Sequence, residues 1–66
     1  MENVEYRELV KGDIIMILGL KRVVADDPTT EHGITKFLTA MLDGKVLGET
    51  HSFSTDYVGR WGHKSI

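Results

Sequence analysis

Residues 34–53 read ITKFLTAMLDGKVLGETHSF, two runs rich in β-branched, aromatic and aliphatic residues, Ile34 to Leu42 and Lys45 to Phe53, that meet at Asp43-Gly44. A two-residue type I′ turn needs positive φ at both central positions, which Asp and above all Gly tolerate, and its twist matches that of paired strands. The stretch therefore predicts a β-hairpin at the centre of a mainly β domain. Such a turn pairs Leu42 with Lys45, Ala40 with Leu47, Leu38 with Glu49, Lys36 with His51 and Ile34 with Phe53. One face then carries Ile34, Leu38, Ala40, Leu42, Leu47 and Phe53 and is expected to be the core. The other carries Thr35, Phe37, Thr39, Met41, Val46, Gly48, Thr50 and Ser52, with Gly48 a candidate bulge that would shift the register locally.

Upstream, Ile14-Ile15-Met16-Ile17-Leu18 is short, apolar and β-branched, as expected of a strand covered on both faces or bent around a small barrel. Gly19 predicts a type II′ turn over Leu18-Gly19-Leu20-Lys21 with Lys21 to Ala25 returning, the alternative being a bend in one long strand. Lys11-Gly12-Asp13 reads as a tight turn, and Glu2 to Val10 as an extended lead-in, the alternative being a helix with Tyr6, Leu9 and Val10 at helical spacing and Gly12 as its stop. Asp26 to Gly33 lacks apolar periodicity and carries Asp, Pro and Gly, so it predicts the longest exposed loop, with a helical turn starting at Pro28. Downstream, Ser54-Thr55-Asp56 suits a single 3₁₀ turn before a last strand, Tyr57 to Trp61, and residues 62–66 read as a loose tail.

The chain of 66 residues has room for one domain, residues 1–66, with its core over about 9–61. A chain this short buries only about 60% of its unfolded surface, so association with itself or with a partner is an expected source of further stability. With no cysteine, neither disulfides nor thiolate metal sites can supplement the core, and a reducing compartment is permitted. No apolar run approaches the roughly 20 residues of a membrane-spanning helix, and the acidic start Met1-Glu2-Asn3-Val4-Glu5 is unlike a secretory signal. These features predict no membrane association and a cytoplasmic location. A net charge of −2 weighs against an electrostatic phosphate binder, although folding could still gather the dispersed Lys and Arg into a stripe.

Five short strands, a long loop before the central hairpin and a 3₁₀ turn before the last strand resemble the SH3-like small barrels, with Ser54-Thr55-Asp56-Tyr57-Val58 similar in kind to the segment that leads into their final strand. The acidic, aromatic-rich peptide-binding loop of true SH3 domains has no counterpart, so recognition of proline-rich peptides is not implied. Separately, Tyr6-Arg7-Glu8-Leu9-Val10-Lys11-Gly12-Asp13-Ile14-Ile15 resembles the opening of short uncharacterised phage-encoded proteins, which implies a viral accessory setting and no particular activity.

His32, His51 and His63 are the candidates for imidazole chemistry, and Glu31-His32 beside Asp26-Asp27 has the composition of a metal site without ligand spacing on a helix or Cys partners. His51 and Ser52 are neighbours, but a strand sends adjacent side chains to opposite faces. No catalytic residue, metal or cofactor is therefore assigned. Two sets of side chains fit a protein-interaction surface. Phe37, Met41 and Val46 share a face opposite the assigned core, where they serve either a partner or the second side of a curved core. Tyr57, Arg60 and Trp61 combine the residue types most frequent at binding hot spots, or else Trp61 closes the barrel bottom. The chain thus reads as a non-catalytic protein-interaction module, a phage-type accessory factor that docks on a host protein or on itself. The alternative is a nucleic-acid-binding barrel that uses Lys21, Arg22, Arg60 and Lys64 with Tyr57 and Trp61.

Overall fold

The structure, a computed structural model, describes residues 1–63. Its elements are β1 (Glu2–Glu5), a 3₁₀ turn (Tyr6–Glu8), β2 (Asp13–Ile17), β3 (Leu20–Val24), β4 (Thr29–Glu31), β5 (Ile34–Ala40), β6 (Val46–Phe53) and β7 (Tyr57–His63). The strands form one antiparallel sheet, curled into a half-barrel, with β7 lying between β1 and β2, then β3, then β5. One side of β5 pairs with β4 over its first half and with β3 at its end, and the other side pairs with β6 along its length. The mainly β expectation holds, with seven strands in place of five.

The two strands beyond the expected five come from segments with weak patterning. β1 forms from the lead-in and pairs with β7, Val4 facing Val58. β4 lies inside the stretch expected to be a loop, which has no helical turn at Pro28; Thr30 pairs with Thr35 and Glu31 with Ile34. The 3₁₀ turn lies at Tyr6–Glu8, after β1, where Leu9 N–H closes on the Tyr6 carbonyl (3.2 Å). The connection before β7 is a simple turn instead, with Asp56 N–H on the Phe53 carbonyl (3.1 Å). β7 extends through Gly62 and His63, so the expected tail is partly strand, and residues 64–66 lie outside the described residues.

Glycine placement decides the turns. Leu18 (φ 51°) and Gly19 (φ 78°) are both left-handed between paired Ile17 and Leu20, a type I′ geometry. Gly19 is therefore a turn residue, in the second central position and not the first of a type II′ turn. His32 (φ 52°) and Gly33 (φ 76°) repeat that geometry between Glu31 and Ile34. The Asp43-Gly44 corner is different. Gly44 N–H donates to the Met41 carbonyl (2.9 Å), Met41 N–H to the Lys45 carbonyl (2.8 Å), and only Gly44 (φ 100°) is left-handed. This is a three-residue loop, Leu42-Asp43-Gly44, fastened by Lys45 N–H on Asp43 Oδ1 (2.9 Å). The added residue shifts the pairing to Ala40 with Val46, and a bulge at Leu47, beside left-handed Gly48, restores the expected register from Thr39–Gly48 to Ile34–Phe53.

The hairpin has its expected pairing from Ile34–Phe53 to Thr39–Gly48, not the expected Ala40–Leu47 and Leu42–Lys45 pairs, and the opposite face inward. Thr35, Phe37 and Thr39 are buried, whereas Leu38, Leu42, Leu47 and Phe53 are exposed; of the six residues assigned to the core only Ala40 is buried. Two effects reverse the apolar count. Threonine hydroxyls can be buried when paired, and here Thr35 Oγ1 bonds Thr30 Oγ1 (2.8 Å) and Ser54 Oγ (2.9 Å), while Thr39 Oγ1 donates to the Gly48 carbonyl (3.2 Å). Phe37, at 2% exposure, supplies the largest apolar volume of the inner face and packs with Val4, Leu9, Ile15, Val24 and Val58. Its ring stacks on Tyr6, centroids 6.3 Å apart.

Candidate interaction surface

The six residues expected to meet a partner separate in the fold. Phe37 is core and unavailable. Met41 and Val46 are exposed at the turn end of the hairpin, and Tyr57 and Trp61 are exposed on β7. Directly opposed residues share a face, so the pairs Val46–Ala40, Ala40–Val23, Val23–Ile14 and Ile14–Gly62 trace one row across the face opposite Phe37, buried at Ala40 and Val23 in its middle. Val46 and Gly62 stand at its two ends, four strand spacings or roughly 19 Å apart along the sheet. The hairpin set and the β7 set are thus two patches.

Arg60 belongs to neither. It turns inward at the end of the half-barrel, where its Nε donates to Glu2 Oε1 (2.9 Å) and its guanidinium lies 3.6 Å from Asp13 Oδ2. Its hydrogen bond to Glu2 raises the Arg60 pKa above the usual guanidinium value. Asp13, itself buried, accepts from Val10 N–H at Oδ2 (2.9 Å) and meets His63 Nδ1 at Oδ1 (3.2 Å). Reading the sequence did not find this Asp13, Arg60 and His63 group, because its members are drawn from β2 and β7 and no local spacing marks them. An aspartate that orients a histidine is two parts of a nucleophilic triad. The third is missing: among the described residues His63 has no hydroxyl partner, and no three His, Asp or Glu side chains gather to hold a metal.

Among the described residues, the three cations named for nucleic-acid contact each make an intramolecular contact. Lys21 Nζ sits 4.4 Å from the centre of the Trp61 ring, Arg22 donates to the Lys21 carbonyl (3.2 Å), and Lys64 lies outside the described residues. One face of the indole is therefore covered by a lysine and not open for stacking on a base.

The surface with most to offer a partner is the outer face of β4, β5 and β6. It carries Ile34 beside Phe53, Lys36 beside His51 and Leu38 beside Glu49, and it continues into a groove of about 370 Å³ lined by Thr29, Glu31, His32, Ile34 and Lys36. Phe53 is 64% exposed. The open margin of this face is β6, whose only partner strand among the described residues is β5. Which backbone groups face outward follows from Leu38: its N–H donates to Asp26 Oδ1 (2.7 Å) and its carbonyl accepts from Ala25 N–H (2.8 Å), both away from β6. Leu38–Glu49 is therefore a non-hydrogen-bonded pair, and by alternation so is Lys36–His51. Glu49 and His51 consequently turn their N–H and C=O groups to the open edge.

Among the described residues no helix is long and apolar enough to cross a membrane. No known protein family matches the chain, and neither a curated protein nor a solved structure shows significant similarity to it.

Proposed function

We propose that this chain is a non-catalytic protein-interaction module that binds through the outer face and open edge of the β5–β6 hairpin. One observation carries the reading: among the described residues, twelve large hydrophobic side chains are exposed, against eight hydrophobic residues in the core. Single exposed apolar residues are normal on any protein. Here six of the twelve, Leu38, Met41, Leu42, Val46, Leu47 and Phe53, belong to one hairpin, the kind of clustering that marks an interaction site. An SH3-like architecture for the sheet and a phage-type accessory role in the cytoplasm belong to the same proposal, the latter resting on the likeness of residues 6–15 to phage-encoded proteins.

The test is an affinity capture with the wild-type chain and with a Leu38→Ser, Phe53→Ser variant. Both positions are exposed, so the variant is expected to stay folded and to lose the partner. A folded variant that keeps every partner would place the binding surface elsewhere. Oligonucleotide binding that weakens steeply with salt would replace the proposal with the nucleic-acid reading.

A further inference from the structure

We propose that the partner of the β6 edge is a second copy of this chain, joined by antiparallel pairing of β6 with β6 about a two-fold axis through Thr50. The inference rests on the interaction reading above and adds the partner and its register.

Only residues with outward backbone groups can carry an added ladder, and on the straight part of β6 these are Glu49 and His51. Symmetric pairing that uses them has few registers. An axis at Glu49 sets two carboxylates directly opposite each other, and an axis at His51 sets two imidazoles opposite while Glu49 meets Phe53. An axis at Thr50 sets Glu49 of each copy against His51 of the other. Like charges directly opposite weaken a ladder, whereas the Thr50 register sets each Glu49 carboxylate against an imidazole that can donate to it, with the Lys36 cation next in the row, so the Thr50 register is favoured.

The outer face adds to this choice. Lys36 flanks His51 within each copy, so the Glu49 carboxylate of one copy meets a row of two basic side chains on the other. The same register brings the exposed Phe53 of each copy to the exposed Leu47 of the other, and it pairs Thr50 with itself on the opposite face. Both Glu49–His51 pairs fall in the hydrogen-bonded position, because the residues that face away from β5 are those that face the second copy. The result is a continuous β5-β6-β6-β5 sheet, and the unpaired edge, which otherwise invites indiscriminate strand addition, is closed.

Sedimentation equilibrium of the full chain tests the pairing. Wild type is expected to show a monomer–dimer equilibrium. His51→Pro removes an outward N–H without removing a β5–β6 hydrogen bond and is expected to weaken the dimer by about tenfold or more. Glu49→Lys and His51→Glu are each expected to weaken it, and the double variant, which again sets an acidic side chain against a basic one with their places exchanged, is expected to recover it. A wild type still monomeric at about 1 mM, a dimer indifferent to His51→Pro, or a double variant no better than the singles would each overturn the proposal. A monomeric wild type that still captures a partner lost on Leu38→Ser, Phe53→Ser would overturn the self-pairing alone and leave the interaction reading standing.

Discussion

Phe37 stacks on Tyr6 with an interplanar angle of 27°, and this contact joins the central hairpin to the turn that follows β1. Tyr6 N–H also donates to the Asp56 carbonyl (2.9 Å) and Arg7 N–H to the Ser54 carbonyl (3.1 Å), so the turn is held to the β6–β7 connection as well. The aromatic pair therefore closes the core on the side where the sheet is open.

Phe37→Ala is expected to cost about 3–5 kcal/mol, the range for deleting a buried aromatic, and to leave a domain of this size largely unfolded at room temperature. Phe53→Ala, on the opposite face of the same hairpin, is expected to change stability by less than about 0.5 kcal/mol. Urea denaturation followed by circular dichroism compares the two. Equal costs would contradict the face assignment.

Tyr6 gives the fold an alkaline limit. Burial raises its phenol pKa above 10.0, Asp56 adds to the rise, and a hydrogen bond to Ser52 partly opposes it. The folded state thus holds the phenolic proton more tightly than the unfolded chain. Its contribution to stability is complete below pH 10.0 and is lost as pH climbs through the raised folded value. Chemical denaturation between pH 8 and about 11.5 is expected to show this loss in wild type and its absence in Tyr6→Phe. The same slope in both proteins would assign the alkaline limit to other groups.

Asp13 has three neighbours that require an acceptor: Val10 N–H, Arg60 and His63. Asp13→Ala removes the acceptor of the half-buried Val10 N–H hydrogen bond together with the carboxylate that Arg60 and His63 face, and is expected to cost about 1–3 kcal/mol. Asp13→Asn keeps an oxygen for Val10 and is expected to cost less. The order of urea midpoints checks this, and an alanine variant as stable as asparagine would show that the carboxylate is not a structural acceptor.

Leu18 is both 96% exposed and left-handed at φ 51°. A side chain pays a steric penalty there that glycine avoids and asparagine largely offsets. Leu18→Asn is expected to raise stability by about 0.5–1 kcal/mol, read as a higher urea midpoint at unchanged slope. A lower midpoint would mean that the leucine makes a stabilising contact in solution.

Much of the sheet was legible along the chain, because hairpin pairing is local: the pairs from Ile34–Phe53 to Leu38–Glu49 follow from one count outward from Asp43-Gly44. The pairing survived a wrong turn type, since the longer loop and the bulge at Leu47 cancel. Facing was not legible. Counting apolar residues placed Leu38 and Phe53 inside, and only the hydroxyl chain through Thr30, Thr35 and Ser54 shows why the threonine face is buried. His32-Gly33 makes the type I′ turn that Asp43-Gly44 was expected to make, a role for which histidine offers little composition signal. The Asp13 group was beyond reach for another reason: Asp13 and His63 are 50 positions apart, and Glu2 and Arg60 are 58.

The position of β7 between β1 and β2 bears on how the chain acquires its shape during synthesis. β7 comes after β1 and β2 in the chain and supplies their middle neighbour, so a nascent chain that stops before Tyr57 leaves both with no ladder between them. Closing so long a loop costs entropy before any long-range contact offsets it, so completion of the sheet is expected to be slow and to wait until β7 has been synthesised. Truncation within β7 should accordingly abolish the fold as a whole, not trim one margin of it.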